Sequence, residues 1–200
     1  MKYFSSLVAA LILAGCATDS GTTTSSDTWT CQYCHNVEIH QTGTGMWFDF
    51  PNKDGVHYVT EAPKSKGATI TATFTITGTG KIVSEGGGTP QVRLYFQSCP
   101  DMSGIGDAEY CRWWSNPNAV RLTPEILKLK TFKLTAKLVP GMWSSVYGKF
   151  GDENPVMFEA AKDDMGVAGI TFGSDITGFG HGCHAASGSL KFTLTSFTIK

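Results

Sequence analysis

The run from Ala68 to Thr77 (ATITATFTIT) constrains the fold most strongly, because apolar residues and threonines alternate along its whole length. Successive side chains of a β-strand point to opposite faces, whereas the faces of a helix repeat about every 3.6 residues. The apolar positions of this run are Ile70, Ala72, Phe74 and Ile76. We therefore predict a strand with one face buried in a core and a threonine face in solvent.

Other segments repeat this pattern. Residues 92–96 and 131–138 alternate in the same way, and residues 166–172 are small or apolar almost throughout, as in a buried strand. Shorter strands are predicted at 46–49 and 56–60. In the 131–138 strand, the residues predicted to face inward are Phe132, Leu134, Ala136 and Leu138.

The C-terminal segment 189–199 alternates but changes phase. Its apolar positions shift between Leu194 and Phe197. An extra residue in one strand of an antiparallel pair produces such a shift, because two residues then lie opposite one. We therefore predict a β-bulge near Thr195 and Ser196.

One short helix is predicted, over residues 155–163. Pro155 suits the first turn of a helix, and Phe158 and Ala161 would face the core. Glycine and proline separate the remaining segments. Many short strands joined by turns, with one short helix, predict an all-β fold, specifically a jelly-roll-like antiparallel β-sandwich.

The N-terminus has the features of a targeting segment. Lys2 is followed by an apolar run much shorter than the ~20 residues that a membrane-spanning helix needs. The run ends in Leu13-Ala14-Gly15-Cys16, which resembles the lipobox of bacterial lipoproteins. This resemblance implies removal of a signal peptide, residues 1–15, and attachment of lipid to Cys16.

A tether and a single domain are expected to follow. Residues 18–28 are all Ser, Thr, Gly or Asp, so the segment 16–28 should be a flexible tether. Residues 29–200 suit one domain with a core. Ala17 after the lipobox cysteine favours the outer membrane. We expect a bacterial cell-envelope protein held to the membrane by its lipid anchor.

Charge and motifs exclude some classes of function. The chain has 16 Lys and Arg residues against 17 Asp and Glu, so the basic excess typical of nucleic-acid binding is missing and no nucleic-acid partner is expected. The sequence contains no Gly-x-Ser-x-Gly, His-Glu-x-x-His or phosphate-loop motif. We therefore expect binding rather than catalysis, with no catalytic residue, metal or cofactor assigned.

The C-terminal two thirds of the chain resemble a group of bacterial and phage-borne proteins of unassigned role. The similar segments are Arg112–Ser115, Trp143–Gly148, Gly169–Gly173, Phe179–Gly182 and Phe192–Ile199. The resemblance covers roughly residues 69–200. It implies a sandwich similar to carbohydrate-binding modules and galactose-binding-like domains, and a glycan as ligand.

Export predicts disulfides among the five cysteines that remain after lipidation. Cys99 and Cys111 flank a polar loop, and a bridge between them would stabilise the fold by about 2–3 kcal/mol. Cys31, Cys34 and Cys183 remain. Because their number is odd, one thiol would be free, paired between molecules or bound to a ligand.

The segment Cys31-Gln-Tyr-Cys34-His35 has the spacing of a c-type haem attachment site. Two thioether bonds would hold the haem, and His35 would be its axial ligand. Such sites usually lie on a helix, whereas the alternation of residues 37–40 favours a strand.

Two other interpretations of this segment remain open. Cys31, Cys34 and His35 could hold zinc together with residues 181–184, which include Cys183. Alternatively, Cys183 could form a disulfide with Cys31 or Cys34 and tie the start of the domain to its last hairpin. We favour the disulfide and keep the covalent haem as the alternative.

Adjacent tryptophans mark the candidate binding site. Trp113 and Trp114 should point to opposite faces of a strand, one into the core and one outward. An outward ring beside Arg112 and Asn116 would stack on the apolar face of a sugar while its neighbours bind hydroxyl groups.

The sequence therefore predicts a cell-surface lipoprotein that binds a glycan or other surface ligand without catalysis. The alternatives are a mono-haem electron-transfer lipoprotein and a structural or host-interaction envelope protein.

Overall fold

The computed structural model describes residues 28–98, 108–116, 118–128, 131–176 and 179–200. The predicted signal peptide, Cys16 and the tether up to residue 27 lie outside the described residues, and so does Cys99. The predictions for these positions stay predictions.

The described chain is dominated by strands. In chain order they are β1 (Thr30–Gln32), β2 (His40–Gln41), β3 (Met46–Asp49), β4 (Tyr58–Glu61), β5 (Thr69–Ser84), β6 (Pro90–Gln97), β7 (Arg112–Ser115), β8 (Val120–Arg121), β9 (Phe132–Lys137), β10 (Trp143–Ser145), β11 (Val167–Ser174) and β12 (Cys183–Ile199). The helices are α1 (Ala108–Cys111), a single turn, and α2 (Pro155–Asp163). Short 3-10 turns cover Ile126–Lys128, Pro140–Met142 and Val146–Gly148.

The strands form two antiparallel sheets. The first sheet has the order β1-β4-β11-β6-β7-β10, with β8 also paired to β6. The second sheet has the order β2-β3-β12-β5-β9. The long β5 and β12 strands pair along nearly their whole length and form the centre of the second sheet. The all-β antiparallel sandwich with one short helix is confirmed.

The core lies between the sheets because the alternating strands turn their apolar faces toward each other. The apolar residues of β5 face it as predicted, and Ile70, Ala72 and Phe74 are fully buried. They pack against the inward residues of the first sheet, including Leu94, Phe96 and Ile170. The four inward positions predicted around β9, Phe132, Leu134, Ala136 and Leu138, are also buried.

Local predictions from sequence are confirmed in detail. The register of β12 against β5 shifts between Leu194 and Ser196, where the bulge was expected. A second shift, between Ala185 and Ser187, was not predicted. Helix α2 has the predicted bounds and buries Phe158 and Ala161.

Strand β6 differs from the prediction of one buried and one solvated face. Its residues from Gln91 to Gln97 are buried on both faces. The polar residues Arg93 and Tyr95 therefore do not face open solvent. The covered face of this strand belongs to the candidate site.

Candidate functional site

Strand β7 separates the two adjacent tryptophans as predicted. Trp113 faces the core and is fully buried, with its Nε1–H donating to the carbonyl oxygen of Tyr110 at 2.7 Å. Trp114 lies on the opposite face of the first sheet. The prediction that Trp113 is a ligand-binding residue is wrong, because a residue packed between the sheets cannot reach a ligand.

Trp114 belongs to a second, separate cluster of rings with Tyr58 and Tyr95. The centroid of the Tyr95 ring lies 4.8 Å from that of Tyr58 and 5.6 Å from that of Trp114. These residues come from β4, β6 and β7 on the outer face of the first sheet, where β6 pairs with β7 and β11 lies between β4 and β6. The aromatic surface expected at β7 is therefore shared by three strands.

Residues 179–182, which lead into β12, cover part of this outer face, and we call them the covering segment. The ring of Phe179 lies 4.3 Å from the guanidinium carbon of Arg93. The hydroxyl of Thr171 donates to the Phe179 carbonyl oxygen at 3.4 Å. Gly180 lies so close to Tyr58 that an added Cβ would be 2.0 Å from the Tyr58 hydroxyl oxygen. The Phe179 ring thus covers Arg93 on the outer face of β6, and Gly180 covers Tyr58 on β4.

Two adjoining cavities open beside the covering segment, and together we call them the cleft. The first has a volume of about 430 Å³ and the second about 410 Å³. Both are lined by Tyr58, Arg112, Gly180 and His181. The first cavity also contacts Trp114, Val146 and Phe179, and the second contacts Tyr33, His57 and Glu85.

Arg112 joins the two cavities. Its guanidinium carbon lies 6.0 Å from the centroid of the Tyr58 ring and 5.9 Å from that of Trp114, distances suited to cation–π contact. Burial raises the pKa of Tyr58, and the nearby positive charge of Arg112 partly opposes that effect. The Tyr58 phenol therefore keeps its proton at neutral pH and can donate a hydrogen bond.

Two nitrogens at the cleft have no hydrogen-bond partner among the described residues. They are Nε1 of Trp114 and Nε of Arg112, and both atoms are buried. Buried hydrogen-bond donors in proteins normally have an acceptor. Two buried donors without an acceptor, both on residues that line a cavity, are therefore a feature expected of a binding site.

Asn116 has a structural role. Its Oδ1 accepts from the Ser144 hydroxyl at 2.8 Å, and its carbonyl oxygen accepts from Arg93 at 3.2 Å. It does not line either cavity. Of the four residues predicted to bind ligand, the structure brings only Arg112 and Trp114 to the cleft.

A histidine–carboxylate cluster lies beside the second cavity. The distance from His57 Nε2 to Glu85 Oε2 is 3.5 Å, and that from His184 Nδ1 to Glu85 Oε1 is 3.6 Å. The backbone N–H of Gly55 also donates to Glu85, and His57 Nδ1 lies 2.9 Å from the carbonyl oxygen of Gly180. Among the described residues, no group of three or more His, Cys, Asp and Glu side chains is arranged to hold a metal ion.

The cysteines follow a different scheme from the one we favoured from sequence. Cys31 and Cys34 form a disulfide with each other, with a Cα–Cα distance of 5.6 Å. Cys183 is a buried free thiol. The predicted bridge from Cys183 to Cys31 or Cys34 is therefore wrong. The main-chain hydrogen bonds that pair Cys183 with Val56 place it in the core, where its thiol meets the Gly173 carbonyl oxygen at 3.3 Å.

The CxxCH segment forms a strand end and a turn. Cys31 lies on β1, and Tyr33 and Asn36 have φ values of 58° and 57°, in the left-handed region. A covalent haem would require both thiols that the disulfide joins here. Haem attachment with His35 as ligand stays a prediction, which a visible absorption spectrum of the exported protein tests.

Cys111 also takes part in a disulfide. Its predicted partner, Cys99, lies outside the described residues, so the pairing itself stays a prediction.

Sequence reasoning missed several residues of the cleft, including Tyr58, Glu85 and Phe179. Tyr58 and Glu85 lie far from Trp114 in sequence, and only the strand order brings them together. The glycines on either side of His181 indicate a backbone that lies close to another part of the chain. The spacing of residues in the sequence does not show that Tyr58 is the residue approached by Gly180.

A further cavity of about 400 Å³ lies elsewhere, lined by Lys64, Lys66 and Lys162. Each lysine already has a partner. Lys64 pairs with Glu61 at 3.1 Å, Lys66 donates to the Asp163 carbonyl oxygen at 3.1 Å, and Lys162 pairs with Glu159. None of the described residues lining this cavity is aromatic. The cleft is the better candidate because two of its donors have no partner among the described residues.

No helix in the part of the chain that the structure describes has the length and apolar character needed to cross a membrane. In comparisons with family models, with curated proteins and with solved structures, nothing matched this chain. The functional assignment therefore depends on the geometry of the cleft.

Proposed function

We propose that this chain is a cell-surface lipoprotein that binds a glycan in the cleft without catalysis. The observation that carries the proposal is the cleft itself, in which the rings of Tyr58, Trp114 and Phe179 adjoin the charged Arg112. Sugars present apolar ring faces and a rim of hydroxyl groups. A site for them needs aromatic surface and hydrogen-bonding groups side by side.

The size and chemistry of the cleft support this function. Its first cavity, about 430 Å³, falls within the range of small-ligand sites. The indole N–H of Trp114 and the phenol of Tyr58 supply donors for hydroxyl oxygens. His57 and Glu85 add polar groups in the second cavity. The envelope location is proposed from the lipobox resemblance at Cys16.

Affinity electrophoresis of the full-length protein in gels containing neutral and acidic polysaccharides tests the proposal. We expect retardation by at least one polysaccharide. Trp114→Phe should weaken binding about fivefold or more, because it removes an indole N–H and part of the ring surface.

Trp47→Phe is the matched control. Trp47 stacks on His40 with a centroid distance of 3.7 Å, and β3 places it in the second sheet. This variant should bind like the original chain. Equal binding by all three proteins would contradict the cleft as the site. Lack of retardation by every polysaccharide would contradict glycan binding and favour a structural or host-interaction role.

A further inference from the structure

We propose that the ligand of the cleft is an acidic sugar whose carboxylate binds Arg112. This inference rests on the proposed glycan function and specifies the class of sugar. It follows from the charge of Arg112, from the absence of a partner carboxylate among the described side chains, and from the position of Arg112 between two rings.

Arg112 carries a charge that the described part of the protein does not neutralise. None of the carboxylates whose side chains the structure describes forms an ion pair with it. The side chain is half-buried, and its Nε is buried without a hydrogen-bond partner. The hydrogen bond recorded for its guanidinium goes to the hydroxyl of Tyr58, which is neutral. Charged side chains that leave water are usually paired with an opposite charge, so a guanidinium whose recorded partner is neutral indicates an anionic ligand in the cleft.

Arg93 on the same sheet shows the contrasting case. Its Nη1 donates to the carbonyl oxygens of Ser115 and Asn116 at 2.8 and 3.2 Å, and its Nη2 donates to Gln91 Oε1 at 2.8 Å. The ring of Phe179 covers it. The Nε of Arg93 also lacks a partner among the described residues, so the two arginines differ in their other nitrogens. Those of Arg93 hold the sheet together, whereas the hydrogen bond recorded for Arg112 goes to the Tyr58 hydroxyl.

The charges around the cleft place the anion in the first cavity. Among the described residues lining that cavity, Arg112 is the only permanently charged side chain, and His181 is the only histidine. Glu85 lines only the second cavity, where it is held by Gly55, His57 and His184. A carboxylate beside Trp114 would therefore meet a positive charge without facing Glu85.

The shape of the guanidinium favours a carboxylate. Its planar arrangement of N–H groups binds the two oxygens of a carboxylate in parallel, which an ammonium cannot do. The rings of Tyr58 and Trp114 flank the guanidinium and offer apolar surface to the sugar ring that bears the carboxylate. A uronic acid or a sialic acid combines both features in one residue.

Isothermal titration of the full-length protein with matched pairs of sugars tests this inference. The acidic probes are a tetramer of galacturonic acid, a tetramer of mannuronic acid and sialyllactose. Their neutral partners are the two tetramers with each carboxylate reduced to an alcohol, and lactose. We expect one acidic probe to bind at least tenfold more tightly than its neutral partner, since a charge-assisted hydrogen bond discriminates by about that factor.

Variants then locate the interaction. Arg112→Gln should remove the preference for the acidic probe. Arg112→Lys should keep only part of that preference, because an ammonium group cannot bind both carboxylate oxygens in parallel. Arg121→Gln is the matched control, since Arg121 is exposed and faces Asp175 at 3.7 Å. It should keep the full preference. Affinity of the original chain for the acidic probe should also fall as salt rises from about 50 to about 500 mM.

The outcomes separate this inference from the proposed function. Equal binding of an acidic probe and its neutral partner overturns the acidic sugar but leaves glycan binding intact. Binding of no probe by a protein that still melts cooperatively overturns both. If Arg112→Gln fails to fold, the inference is tested on the original chain alone. The measurements are then the ratio of its affinities for the acidic and neutral probes, and the change in that ratio with salt.

Discussion

Individual side chains at this site differ mainly in whether a partner is already present. Three buried tryptophans illustrate the point. The indole N–H groups of Trp113 and Trp143 donate to carbonyl oxygens at 2.7 Å, whereas that of Trp114 has no acceptor among the described residues. An unpaired buried donor costs free energy unless a ligand or water accepts from it. The unpaired donor of Trp114 is therefore the one suited to recognition.

Cys183 provides a prediction at the same scale. Burial raises the pKa of its thiol far above the ordinary value, and the residue is inaccessible. Only a thiolate reacts rapidly with alkylating agents. We expect iodoacetamide to leave Cys183 unmodified in the folded protein near neutral pH and to modify it in denaturant, as measured by peptide mass mapping.

Alkylation of Cys183 in the folded protein, at a rate close to that of a free thiol, would contradict the buried position. Finding Cys183 in a disulfide with Cys31 or Cys34 would contradict the scheme of bridges described above.

The covering segment, residues 179–182, is the element that lies over the outer face of the first sheet beside the cleft. Its hydrogen bonds join it to β11 through Thr171 and to the start of β4 through His57. Gly180 allows its backbone to lie against Tyr58, since any side chain would overlap the ring. Without this segment, the outer face of the first sheet would be an open surface.

Gly180→Ala tests the role of that segment. The new methyl group would force apart Tyr58, which is only 5% exposed, and the covering backbone. We expect a loss of about 1–3 kcal/mol in the free energy of unfolding and weaker glycan binding. Gly43→Ala is the matched control, because no heavy atom lies within 4 Å of a Cβ added there. If both variants unfold at the same urea concentration, the close contact is not a constraint.

At the scale of the whole molecule, the first sheet is buried on both sides over its central strands. Its inner face meets the second sheet, and its outer face carries the rings of Tyr58 and Tyr95 under the covering segment. The Tyr95 hydroxyl donates to Gln97 Oε1 at 2.6 Å. Two phenols thus lie in places where their ionised forms would be poorly solvated.

Alkaline stability should reflect these two tyrosines. Burial raises the pKa of Tyr58 and, more strongly, of Tyr95 above the ordinary value of 10.0. Above about pH 10 the unfolded chain therefore binds fewer protons than the folded chain, so the free energy of unfolding falls as pH rises. Urea unfolding at a series of pH values, with tyrosinate absorbance followed in parallel, measures this effect.

Tyr95→Phe should show a smaller alkaline loss, whereas Tyr33→Phe, at an exposed tyrosine, should behave like the original chain. If the free energy of unfolding falls equally with pH in all three proteins, groups other than Tyr95 cause the fall.

Local sequence determined much of this fold. The alternation of β5 and β9, the phase change in β12 and the bounds of α2 depend on side chains close together in the chain. A strand or helix is amphipathic on its own, so its buried face can be predicted without its neighbours. The same reasoning separated Trp113 from Trp114.

Only the tertiary structure decided which of these faces meet. The strand order places β4, β6 and β7 near one another in the first sheet, which brings Tyr58, Tyr95 and Arg112 together from distant parts of the chain. It also sets Cys183 beside Val56 in the core, while Cys31 forms its disulfide with Cys34. Pairing between sequence-distant strands depends on the packing of the whole sandwich, so local patterns predict the outward tryptophan but not the cleft around it.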